Sequence, residues 1–318
     1  MSEMLEVAIA IALALLLALA SVGAFRHKKA VMRWAVGGVA AFFSLIATLV
    51  SVLAIVGLAR LHARSAPPPS LNVAATAEQV RRGRDIADGF CSGCHAPDPT
   101  LTALTGGHDL GDHLPLLGSF VTSNLTPEGP LARWSDGEIF RAIRQSVGAD
   151  GRKLFIMSLT SASKLSDDDT KAVIGYLRSL PAAGSNTGTV PDRFSLVGLM
   201  MLGARLLPNS EPINAAPVTA PAKAPTAEFG KYILSYQDCR QCHGTNLTGG
   251  VPGQIGPLGP DLSGVKVWTL DQFVATMRTG IDPNGHELGK EMPWQPIGRM
   301  DDDELRAIYE YLVRLPAS

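Results

Sequence analysis

The chain has 318 residues, enough for two domains and an appendage. Its formal net charge is −1, and residues 75–318 carry 22 Lys/Arg against 27 Asp/Glu, which excludes the basic footprint of a nucleic-acid-binding protein. Hydrophobic content of 46% and a mean hydropathy of +0.15 are high for a soluble chain, and the excess sits at the front.

Residues 7–25 are 19 positions without a charge, and residues 34–59 are 26 more. Each is long enough to cross a bilayer as a helix, since about 20 apolar residues span the hydrocarbon. The loop between them, "RHKKAVMR", holds Arg26, Lys28, Lys29 and Arg33, whereas only Glu3 and Glu6 precede the first span. The positive-inside rule puts this loop in the cytoplasm and both flanks outside. The stretch "ALASVGA" offers small residues for signal cleavage. An acidic start with the basic cluster after the apolar run, however, reverses the signal-peptide pattern. Residues 1–66 therefore predict a transmembrane helical hairpin in the lipid bilayer. The expected location is a bacterial inner membrane, with everything after about residue 66 on the periplasmic face.

Beyond the linker "ARSAPPPS", the chain repeats itself. "LSDDDTKAVIGYLRSLPA" at 165–182 aligns without a gap on "MDDDELRAIYEYLVRLPA" at 300–317, at an offset of 135 residues. Ser166 and Asp301 read as N-caps, with Asp169 and Glu304 three residues on as in a capping box. Pro181 and Pro316 stop the two helices. The same offset carries Met157 onto Met292, a match that helix formation does not require. Trp134 and Trp268 open a second pair of helices, capped by Ser135 with Glu138 and Thr269 with Gln272. Each tryptophan is most simply a core aromatic. Arg144 and Arg278 follow them at ten residues, and a solvated helix face suits both better than a special role. Strand signals are scarce, so the expected fold is mostly α: the hairpin, a domain at 75–183, a linker at 184–224 and a domain at 225–318. Within the linker, "RFSLVGLMMLGARLL" at 193–207 is too short to span a membrane. It reads as a connecting helix packed between the halves, with a membrane-surface role as the sharper alternative.

The chemistry lies in "GFCSGCHAPD" and "QDCRQCHGTN", which contain all four cysteines. C-x-x-C-H reads as a c-type haem attachment site: Cys91 and Cys94, and Cys239 and Cys242, would form thioethers, and His95 and His243 would bind the iron. A soft thioether sulfur suits the opposite axial position of an electron carrier, which assigns Met157 and Met292 as the distal ligands. The histidine's second nitrogen needs an acceptor, for which the Pro260 carbonyl is placed in the second repeat and the "SNLT" region in the first. Four-cysteine zinc and CxxC disulfides remain as alternatives, but neither explains the histidines or the matched methionines. Methionine can also simply fill a core gap. His108 and His113, in a loop that lengthens the first repeat, could instead give the first haem two histidines.

Each repeat resembles a class I cytochrome c domain in its CxxCH, its methionine loop and its closing "DDDTKAVIGYLRSLP" or "DDDELRAIYEYLVRLP". More narrowly, "TSNLTPEGPLARWSDGEIFRAIRQSV" is similar to the first haem domain in cytochrome subunits of membrane-bound alcohol and aldehyde dehydrogenases. The resemblance implies two covalently bound haem c groups and crossing first and last helices, with Gly83 and Ala87 near Tyr176 and Tyr232 near Tyr311. It also implies electron transfer between a dehydrogenase or quinol-oxidising complex and an oxidase or soluble cytochrome, rather than independent catalysis. A dihaem peroxidase is the alternative. Two departures from the dehydrogenase subunits stand out: there is no third CxxCH, and Ser158 rather than proline follows Met157.

Overall fold

The computed structural model describes residues 3–63, 67–98, 100–114, 116–185, 192–208, 216–254 and 256–316. Its helices among these residues are α1 (Glu3–Phe25), α2 (Gly38–His62), α3 (Ala77–Ile86), α4 (Ser92–His95), α5 (Asp136–Gln145), α6 (Asp167–Ser179), α7 (Leu196–Gly203), α8 (Ala227–Tyr236), α9 (Cys239–His243), α10 (Leu270–Thr279), α11 (Trp294–Ile297) and α12 (Asp302–Leu312). The one sheet described is a two-residue antiparallel pair, β1 (Gly118–Ser119) with β2 (Arg193–Phe194). The fold is thus mostly helical, as the pattern of caps and periodic apolar residues predicts.

Two compact units form. One comprises Met1–Ser65, Asp109–Phe120 and Pro191–Asn209; the other comprises Ala66–His108, Val121–Val190 and Ser210–Ser318. In the first unit α1 and α2 pair as an antiparallel hairpin along a seam of small residues. Ala10, Ala14, Ala40, Ala47 and Ala54 are buried, and Ser44 Oγ donates to the Ala14 carbonyl at 3.0 Å. The large apolar side chains face outward, among them Leu16, Leu19, Phe42, Leu45 and Leu49. This inverts the pattern of a water-facing helix pair.

α7 belongs to this first unit and packs on α2, so the expectation of a helix lodged between the two repeats is corrected. A Cβ at Gly57 would lie 2.0 Å from the Leu199 carbonyl oxygen, and one at Gly203 2.0 Å from that of Leu53. Only glycine permits this backbone contact. The 109–120 segment that lengthens the first repeat joins the same unit, where Gly118 pairs with Phe194 in the β1–β2 register.

The second unit holds both repeats around one continuous core, from Ile86, Ile139 and Ile174 in the first to Phe229, Ile233 and Leu305 in the second. In each repeat the first helix crosses the last at a glycine. A Cβ at Gly83 would lie 2.0 Å from the Ala172 carbonyl oxygen and 2.9 Å from Tyr176 Cβ, as the resemblance implies; one at Gly230 would lie 1.9 Å from that of Ala307. Gly83→Val and Gly230→Val each force the crossing apart, an overpacking cost of about 1–3 kcal/mol. A lower midpoint in chemical unfolding is the expected readout. Gly264→Ala, with open space around that position, leaves it unchanged.

The crossing glycines make Arg82 and Phe229 equivalent positions, and these two stack on each other with the guanidinium 5.6 Å from the ring centroid. Arg82 donates to Asp169 at 2.8 and 2.9 Å and also reaches Glu304. It thereby joins the matched acids of both closing helices. Contact between equivalent residues is the signature of an isologous pairing. The Tyr232 hydroxyl reaches the first repeat's closing helix: it donates to Asp169 Oδ2 at 2.6 Å and accepts from Ser166 N at 2.9 Å. Burial first, and then the Asp169 carboxylate, raise this phenol above its ordinary range. Asp169 is consequently drawn away from its capping role, so the box at Ser166 is only half made, whereas those at Thr76, Ser135, Thr269 and Asp301 are complete.

Candidate functional site

The two CxxCH motifs are reached by different local routes. In the first repeat α3 runs through a wide π-helical turn at Ala87–Cys91 straight into α4. In the second, α8 ends at Tyr236, and Asp238 takes a left-handed φ of 57° before α9 begins. Both routes give the cysteines and histidine one helical turn, which sets Cys and His side chains on adjoining faces.

Each histidine is then fixed by one carbonyl. His95 Nδ1 lies 2.8 Å from the Ser123 oxygen, and His243 Nδ1 lies 2.8 Å from the Pro260 oxygen. Ser123 opens "SNLT" and Pro260 sits in "GPDL", the two places that sequence reasoning pointed to. An Nδ1–H donated to a carbonyl leaves Nε2 as the ring's acceptor nitrogen, the state a metal-binding imidazole requires. Matching loops support the two carbonyls: Leu125 N donates to Leu104 O at 2.8 Å and Leu262 N to Leu247 O at 2.9 Å. A Cβ at Gly259 would lie 2.8 Å from His243 Nδ1, so this glycine lets the chain lie against the ring. Burial lowers the His95 imidazole's proton affinity, against the opposing effect of the Ser123 carbonyl.

The four cysteines are free thiols. Burial pushes Cys91 and Cys239 up to about 12, and raises Cys94 and Cys242 as well. A thiol–disulfide catalyst needs the opposite, a thiolate stabilised near neutral pH. Among the described residues no group of three or more His, Cys, Asp and Glu side chains converges as a metal cage would. The donor set at each motif is two thiols and one oriented imidazole, which fits covalent haem attachment.

Met157 begins a 3₁₀ turn, Met157–Leu159, and Met292 lies just before α11; both are half-buried. Ser158 uses the groups that a proline would lack. Its N–H donates to Leu154 O at 2.9 Å and its hydroxyl to Phe155 O at 2.6 Å. His108 is half-buried, with its backbone N–H on Thr122 Oγ1; the His113 side chain lies outside the described residues.

Arg144 does not occupy a solvated face, whereas Arg278 is exposed, as expected. Arg144 is 3% exposed and donates to the Ser163 carbonyl, to Asp167 and to Ala216 O. Arg278 donates to the Gly298 carbonyl and to Asp302 at 3.0 Å. Ser163 matches Gly298 and Asp167 matches Asp302 at the 135-residue offset, so both arginines tie their helix to the loop that opens the closing helix.

A further set of contacts has no sequence signal. Each attachment motif is held by the other repeat's methionine loop. Gln241 Nε2 donates to Leu159 O at 2.6 Å, and Asp238 Oδ1 accepts from Ser161 N at 2.6 Å. In the reverse direction Arg299 Nη1 donates to Ser92 Oγ at 2.9 Å, and Gly89 faces Met300. The Phe90 and Tyr236 rings meet edge to face at 5.9 Å between them.

The cytochrome c family model matches residues 80–181 and 227–316, both repeats and more than half of the chain. A diheme cytochrome c-type protein of Cereibacter sphaeroides is 25% identical over 271 residues, 78% of this chain and 90% of that protein. The fructose dehydrogenase cytochrome subunit of Gluconobacter japonicus is 29% identical over 114 residues, 30% of this chain and only 23% of the subunit's length. The cytochrome c subunit of a quinone alcohol dehydrogenase of Gluconacetobacter polyoxogenes is 25% identical over 270 residues, 74% of this chain and 56% of that subunit.

Proposed function

The chain belongs to the cytochrome c family, and from that premise we propose that it is a membrane-anchored dihaem electron carrier. The observation that carries this reading is the doubled arrangement of CxxCH with its histidine Nδ1 held on a backbone carbonyl. Cys91 and Cys94 would hold one haem c and Cys239 and Cys242 the other, with His95 and His243 as proximal ligands. Met157 and Met292 would supply the distal sulfur in domains at 75–183 and 225–318. The haem supplies one-electron chemistry at its iron. The chain's own part is to set the two thiols of each motif beside an imidazole of fixed tautomer, and to shut water out with the shared core.

The inverted burial of α1 and α2 supports the anchor: the two candidate spans are each only 22% buried, far less than core helices of a soluble protein. The basic loop between them favours the periplasmic side for the haem domains. The dehydrogenase cytochrome subunits among the relatives favour a redox protein on the donor side, such as a dehydrogenase or quinol-oxidising complex, and an oxidase or soluble cytochrome on the acceptor side.

The test is the full chain expressed with a c-type maturation system and purified from membranes in mild detergent. Intact-mass spectrometry is expected to give two haem additions per chain, and the oxidised spectrum two low-spin centres. An unmodified polypeptide would overturn the haem assignment. A high-spin centre with hydrogen peroxide turnover would replace the carrier by a peroxidase.

A further inference from the structure

We propose that α7, together with Leu116 and Leu206, is an interfacial wedge that inserts into the outer leaflet of the bilayer. This rests on the reading of α1 and α2 as membrane spans, and every contact it uses lies within the first unit.

Depth is the first argument. α7 touches α2 by backbone at Leu53 and Gly57, five to nine residues before α2 ends at His62. At 1.5 Å per residue that is about 8–14 Å inside the helix end. α1 starts at Glu3, whose carboxylate accepts from Phe194 N at 2.8 Å immediately before α7. α7 thus flanks the part of α2 level with the start of α1 and just beyond it, at the depth of the lipid headgroup boundary. Uncharged sequence extends over 26 residues in the second span against 19 in the first, so this stretch of α2 would otherwise meet the interface bare.

Polar accounting is the second. The eight residues of α7, LVGLMMLG, contain no polar side chain, yet its N-cap is made and its last carbonyls are met by the protein itself. Ser195 Oγ accepts from Gly198 N at 3.0 Å, while Ser195 N donates to Leu117 O at 2.8 Å. At the other end Arg60 Nη1 donates to the Leu202 and Gly203 carbonyls at 2.8 and 2.7 Å. A helix terminus in contact with lipid must meet its free carbonyls from within the protein.

The third is the outer face. Val197 is 43% exposed, Leu206 69% and Leu116 76%, large apolar side chains left open to the outside on the unit that also holds both spans. Exposed Arg205 lies between α7 and Leu206, where its guanidinium can reach phosphate headgroups while its stem lies on the apolar surface. A lipid surface is the occupant that follows from α7's backbone contact with a candidate span.

Photolabelling tests it with the haem-loaded full chain in a phosphatidylcholine nanodisc. The probe is a phospholipid carrying a diazirine near the glycerol end of one acyl chain, and adducts are mapped by peptide mass spectrometry. Adducts on residues 196–206 and on Leu116, alongside those on 34–59, are expected. Val197→Asp, at an exposed position, should lower labelling of 196–206 several-fold and leave 34–59 unchanged. Labelled spans with an unlabelled α7 overturn the wedge and leave the anchor standing. Unlabelled spans overturn the anchor itself, and the wedge with it.

Discussion

Arg82→Leu is expected to lower the unfolding free energy of the haem-loaded protein by about 3–5 kcal/mol, the cost of breaking a buried pair from one side. It should appear as a large fall in the guanidinium midpoint. Arg82, Asp169 and Glu304 side chains are 15%, 12% and 2% exposed, so solvent screens little of the interaction. Removing the cation leaves two buried carboxylates facing each other across the repeats, with the Tyr232 hydroxyl still directed at one of them. Arg82→Lys keeps the charge but loses the fork that grips both Asp169 oxygens, and should recover only part of the stability. The penalty should also depend on pH with a definite sign. Burial already raises the Glu304 carboxyl above its ordinary range, with Arg82 pulling it down. Without that cation only Lys223 still opposes the rise, and the folded state binds protons more tightly than the unfolded one. Stability of the variant then falls as pH rises, and the gap from the parent narrows toward acid pH. A midpoint within about 1 kcal/mol of the parent at neutral pH would mean that the two acids do not depend on Arg82.

Features encoded within one element, or within one repeat, were legible in the sequence. The two long apolar helices follow from uncharged length, the closing helices from their caps and terminal prolines, and the CxxCH motifs from five consecutive residues. Even the second histidine's acceptor, Pro260, could be named, because its loop is short and rich in glycine. Contacts across the repeats were not legible, because nothing local marks them. Asp169 reads as a capping acid until Arg82 and Tyr232 draw it away. Arg144 reads as a surface residue because arginines usually are, yet it is buried where three carbonyl and carboxylate partners converge. Position in the chain alone would put α7 between the repeats. Its actual neighbour, α2, is about 140 residues earlier, and the determinant is a pair of glycines, Gly57 and Gly203, that no periodicity singles out. The extra residues between His95 and Met157 likewise had no explanation until 109–120 joined the hairpin unit.

Met292→Leu is expected to lower one of the two haem potentials by on the order of a tenth of a volt or more, a fraction of the ~0.8 V that axial ligands command. The far-red absorption of a sulfur–iron bond should fall by about half, in proportion to the loss of one of two such ligands. Leucine keeps the volume, so the loop itself should hold. Its frame is made by other groups: Met292 N on Gly289 O at 2.9 Å, Trp294 N on Met292 O at 2.8 Å, and the Trp294 ring pressed onto Gly280, which has a left-handed φ of 74°. Met157→Leu should act on the other potential by the same reasoning, since Ser158 anchors that turn through Leu154 and Phe155 independently of the sulfur. The crossed contacts make the pair of variants informative beyond ligation. Leu159 and Ser161, in the Met157 loop, hold Gln241 and Asp238 beside the second attachment motif. If each substitution moves a single potential, the loops serve as rigid buttresses and the two centres are tuned separately. If Met157→Leu moves both, the loop shifts when its sulfur is lost, and the second centre reports it through those two hydrogen bonds. Gln241→Leu, which cuts one of them without touching either methionine, should then shift the second potential alone. Two unchanged potentials and an intact far-red band in both methionine variants would remove Met157 and Met292 as ligands.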